Sequence, residues 1–136
     1  MSKISAALQL VRAEKYFQAA ECSKSALGED AEFADLLATI LLTCSAFEVF
    51  ANLFEDALTE YGSKNGFLAR LASRAGRAQA STMRKNMLEY RDKFMAFSVS
   101  ELDAPDAAFI ALYERWSSYV EATLLFFDGA LERHPG

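Results

Sequence analysis

Histidine is almost missing from this chain of 136 residues, which holds one, His134, so chemistry that needs two imidazoles is excluded. The two cysteines, Cys22 and Cys44, have no CxxC spacing and no histidine near them, which leaves no metal-ligand pattern and no metal or cofactor to expect. Six glycines and two prolines are too few for the many tight turns of a sandwich or small barrel. Gly-rich phosphate loops, GxSxG and HExxH are all lacking, and a di-iron bundle site would need a second histidine. The longest charge-free stretch, residues 36–47 between Asp35 and Glu48, would rise about 18 Å as a helix against about 30 Å of hydrocarbon. It reads as a core helix rather than a membrane span. No secretion signal follows Lys3, where Gln9 and Arg12 interrupt the apolar run, so a cytoplasmic location is expected.

What is present is helical. Apolar residues make up 52% of the chain, and eleven Phe, five Tyr and one Trp argue for a packed core. Period and punctuation divide residues 1–136 into four helical segments of one domain. The first runs from Ser2 to about Leu27, with two seams: Ile4, Leu8, Val11 and Leu10, Ala13, Phe17, Ala20. Gly28 follows as a stop, and Asp30 is placed to cap the second segment. The second carries Phe33, Leu37, Ile40, Cys44, Phe47, Ala51, Phe54, Leu58 and Tyr61 in steps of three and four. Gly62 is expected to end it, with a turn at Asn65-Gly66. The third spans Phe67 to about Phe97, as one helix or as two with a break near Gly76. The fourth starts around Asp103 and Pro105 and shows Phe109, Leu112, Trp116, Val120, Leu124, Phe127 and Leu131 on one face. The fold class is therefore all-α, an antiparallel bundle of four main helices, or five if the third breaks. In the first hairpin Cys22 faces the region of Asp35, some nine positions short of Cys44, so two reduced thiols are expected.

Charge is sorted along the chain. Residues 1–63 hold four basic against ten acidic residues, a balance of −6. Residues 64–93 hold eight against two, or +6, and the last 43 hold two against seven, or −5. Within the basic segment Arg70, Arg77, Arg84 and Arg91 recur every seven residues, with Arg74 beside the first, so a continuous helix would carry them as a stripe drifting about 20° per repeat. Such a stripe suits phosphate oxygens, and it equally suits the acidic edges of neighbouring helices. The second reading is favoured, because the flanking segments supply the acids and the whole chain, with pI near 4.9, is acidic.

Two other constellations stand out. Glu48 interrupts the apolar second helix one turn before Asn52; it is either paired with Arg84 or Arg91, or a functional carboxylate in an interhelical cleft. Pairing is the favoured reading, since an active site with one carboxylate and no histidine is uncommon. Leu124, Leu125, Phe126 and Phe127 cover a full helical turn with apolar side chains, and a turn that is apolar all round must be covered all round. That predicts a homodimer with these four residues at its interface.

The stretch Thr43-Cys44-Ser45-Ala46-Phe47-Glu48-Val49-Phe50-Ala51-Asn52-Leu53 resembles a Ser-Ala-Phe/Leu-Glu-x-Phe-x-Asn pattern on the second helix of HEPN-like helical proteins of bacteria. The resemblance implies a four- or five-helix antiparallel bundle that dimerises, often in RNA-directed defence or toxin–antitoxin systems. The ribonuclease motif of that superfamily, Arg-x4–6-His, is absent, because no Arg stands at that spacing before His134. The resemblance thus implies a non-catalytic relative, and no catalytic residue is assigned. The expected function is a non-enzymatic interaction module, homodimeric and linked to bacterial or phage defence. The alternative is nucleic-acid binding through the arginine stripe. The expected partners are a second copy and a protein, before a nucleic acid, with no membrane.

Overall fold

The computed structural model describes residues 2–99 and 104–133. They form four helices and no strand: α1 (Ser2–Ser25), α2 (Phe33–Lys64), α3 (Phe67–Ser98) and α4 (Ala107–Arg133). One hydrophobic core is shared by all four, in an all-α four-helix bundle.

The helices do not pack alike. α2 is approached closely by α1 on one side and α3 on another, along seams of small residues, Ala6, Ala13 and Ala20 on α1 and Ala69, Ser73, Gly76 and Ala80 on α3. α4 stands further off and reaches the others with rings. Trp116 meets Phe17 of α1 at 5.5 Å and Phe94 of α3 at 5.6 Å, edge to face. Phe109 packs on Phe33 of α2 at 4.8 Å, and Phe127 lies 5.1 Å from both Phe50 and Phe54. Such ring pairs add about 0.5–1.5 kcal/mol each beyond the area they bury.

The helix ends correct several expectations. α3 is continuous through Gly76, whose absent side chain is a packing requirement: a Cβ there would fall on Leu58 Cδ1 of α2. Gly62 does not end α2 either. The helix runs two residues further, and a Cβ on Gly62 would lie 3.0 Å from Ser73 Cβ. Ser73 Oγ, buried in the same seam, donates to the Leu58 carbonyl at 2.6 Å. The chain turns instead at Asn65-Gly66, where Gly66 takes φ +89°. Asp30 does not cap α2; Glu32 stands at the N-cap without a side-chain hydrogen bond. α4 is capped by Asp106, whose Oδ1 accepts the Phe109 N–H at 2.8 Å, whereas Asp103 lies outside the described residues. Of the two α1 seams, only Leu10–Ala13–Phe17–Ala20 is buried, while Ile4, Leu8 and Val11 are exposed.

α2 is longer than its charge-free stretch, and by length and composition it is sufficient to cross a membrane; half of its most apolar window is buried inside the bundle. Both cysteines are free, Cys22 exposed and Cys44 buried. Burial pushes the Cys44 thiol up to about 12, opposed in part by the nearby Trp116 indole N–H. Titration of the native protein with a thiol-specific disulfide reagent at pH 8 should therefore count one fast thiol, and two after denaturation. Two equally fast thiols in the native protein would contradict the placement of Cys44.

Candidate functional site

The heptad arginines are one stripe divided by its own drift. With α3 continuous, each repeat turns the next arginine about 20° toward α2. Arg91 and Arg84 have turned far enough to meet the acidic edge of α2. Arg84 Nη1 donates to Asn52 Oδ1 at 2.8 Å and pairs with Glu55 Oε1 at 2.9 Å. Arg91 Nη1 lies 3.4 Å from Glu48 Oε2. Arg77 is half-buried and donates from Nε to the Ser73 carbonyl at 3.4 Å. Arg70 and Arg74 are exposed, with no ion-pair partner among the described residues.

Glu48 is thus held by Arg91, with Asn52 engaged one turn on by Arg84. Both ion pairs remain about a quarter to a third exposed, so each stabilises the bundle by no more than about 1 kcal/mol. Their effect is directional: they fix the register of α3 on α2. A similar polar tie joins α1 to α4, where Glu21 accepts hydrogen bonds from Tyr113 Oη at 2.7 Å and Ser117 Oγ at 2.8 Å. Burial, then the Glu21 carboxylate, pushes the Tyr113 phenol well above its ordinary range, so it stays a donor. Glu21 is thus engaged by hydroxyls rather than by an arginine.

The apolar turn of α4 is also divided. Successive residues point 100° apart, so one turn cannot face one way. Phe127 is a core residue, 2% exposed, and Leu124 is half-buried against the core. Leu125, 77% exposed, and Phe126, 41% exposed, point outward. Of the four residues expected at an interface, these two are the ones that face outward.

A larger outward surface was not singled out by sequence reasoning. The first half of α3 is inverted: Ala69, Ser73, Gly76 and Ala80 face inward, while Phe67, Leu68 and Leu71 are exposed, Leu68 to 79%. The signal was present as small residues spaced by three and four, which read as a weak helix rather than as a tight seam. Antiparallel pairing of α3 with α4 is registered by Asn86 Nδ2, which donates to Tyr119 Oη at 3.1 Å, and by the Tyr90 and Tyr119 rings at 5.9 Å. Seven residues beyond Tyr119, about 10 Å along α4, this register sets Phe126 beside the first half of α3. The exposed apolar residues of both helices therefore lie toward the same end of the bundle. A shallow groove lined by Tyr90, Tyr119, Arg115 and Glu114 continues between the two helices toward the other end.

No family model, curated protein or solved structure matches the chain. His134 lies outside the described residues.

Proposed function

We propose that the protein is a cytoplasmic, non-enzymatic interaction module that works as a homodimer, in the setting of bacterial or phage defence that its HEPN-like pattern implies. One observation carries the interaction reading: large apolar side chains of α3 and α4, Phe67, Leu68, Leu71, Leu125 and Phe126, stand outward while small residues fill the seam beneath α3. Exposed large apolar side chains gathered toward one end of a bundle are a mark of an interaction surface. The polar groups best suited to chemistry are committed to holding helices together, Glu48 by Arg91, Glu55 and Asn52 by Arg84, and Glu21 by Tyr113 and Ser117. This supports a role in recognition over turnover.

Nucleic-acid binding is the second reading, and the exposed Arg70 and Arg74 favour it. It is the lesser reading because Arg84 and Arg91, two of the five arginines in the stripe, are taken up by α2. Static light scattering at micromolar concentration is expected to give twice the chain mass of 15.1 kDa. A monomer that binds single-stranded RNA, with affinity falling steeply as salt rises, would contradict the proposal in favour of the second reading.

A further inference from the structure

Resting on the homodimer reading, we infer where and how the second copy docks: the outer face of α3 lies on the outer face of α4 of the other copy, and reciprocally, about a two-fold axis parallel to the bundle. Two observations converge on this arrangement.

The first is charge. At 100° per residue, Arg74 and Lys85 share the outer face of α3 with Phe67 and Leu71, and all four are exposed. On α4 the outer face carries Glu114, Glu121, Leu125 and Glu132, with Asp128 at its edge, and these too are exposed. From Phe67 to Lys85 the α3 face is apolar and basic, with the acids Glu89 and Asp92 at its far end; the α4 face is apolar and predominantly acidic. No arginine or lysine of α3 reaches an acid of α4 within the same copy among the described ion pairs.

The second is height along the bundle. A two-fold axis parallel to the helices keeps every residue at its own level. The register set by Asn86 and Tyr119 then brings Arg74 level with Glu132 and Asp128 of the other copy, and Lys85 level with its Glu121. Leu125 and Phe126 meet the small outer residues Ala75 and Ala78 of the facing α3, both exposed. At the far end Lys93 and Glu89 of α3 come level with Glu114 and Arg115 as opposite charges, with Asp92 beside Glu114 as a like-charge neighbour. The shallow Tyr90–Tyr119 groove falls near the axis, and aromatic residues of this kind are enriched in the centre of interfaces. About an axis parallel to the bundle the exposed seam of α1 is a poorer docking face, because pairing Ile4–Leu8–Val11 with itself there would set Arg12 and Lys15 of the two copies level with one another.

Charge reversal tests the inference with residues that touch no core. Sedimentation equilibrium of Arg74→Glu/Lys85→Glu should show a dimer weakened at least ten-fold. Glu121→Lys/Asp128→Lys should do the same, and the four changes combined should restore association. Circular dichroism checks that each variant keeps its helices. If the wild type dimerises but neither reversal changes its dissociation constant, the copies meet on another face; this overturns the inference and leaves the homodimer intact. If the wild type is monomeric at every concentration, both fall together.

Discussion

Replacing Trp116 with alanine is expected to cost about 3–5 kcal/mol of unfolding free energy, the largest effect of any single truncation in the chain. Its ring is fully buried and sits edge-on to Phe17 and Phe94 and tilted to Tyr113 at 5.6 Å, so it is the point where α1, α3 and α4 meet. The cavity left behind cannot close readily, because α4 is held away from its neighbours by the remaining rings. Urea unfolding followed by circular dichroism measures this loss, since the only tryptophan is the residue removed. A change below about 1 kcal/mol would mean that the ring cluster does not support the fold as described.

Gly76→Ala is expected to destabilise by about 1–3 kcal/mol, against the ordinary trend. In an open helix the same substitution gains about 1 kcal/mol, because alanine restricts the unfolded backbone and favours the helix. Here the new Cβ falls on Leu58 Cδ1, and Leu58 is itself buried between α2 and α3. Removing that methyl group should relieve the clash, so Gly76→Ala combined with Leu58→Ala should cost less than the sum of the two. Additive costs in that cycle, read from urea midpoints, would contradict the close approach of the two helices.

The glycines show why some of the fold was legible in the residues and some was not. The period of Phe33 through Leu58 identified α2, and the seam of Phe109 through Leu131 identified α4, because those faces bury large side chains that repeat every three or four positions. The all-α four-helix bundle follows from them. Gly62 and Gly76 were open to misreading because a glycine that ends a helix and one that lets two helices touch look identical in sequence. Only the neighbour across the seam, Ser73 in one case and Leu58 in the other, decides between them.

The candidate site divides in the same way. The pairing of Glu48 with Arg91 was among the readings that charge sorting allowed, and the heptad drift explains why it stops short of Arg70. The role of Phe127 was not separable from those of Leu125 and Phe126 by periodicity, since apolar residues at every position erase the period. The outward face of Phe67, Leu68 and Leu71 was hidden for the opposite reason: small residues mark the buried side of α3, and they carry little hydrophobic signal.

Sedimentation velocity over a dilution series, run on the wild type beside Leu125→Glu, tests the central claim most directly. Leu125 is exposed and lies on the outward face of α4, so the charge should spare the fold and spoil the contact. The expected result is a wild-type dimer that dissociates on dilution and a variant with unchanged helical content that sediments as a 15.1 kDa chain throughout. Wild type and variant both sedimenting as single chains at every concentration would contradict it.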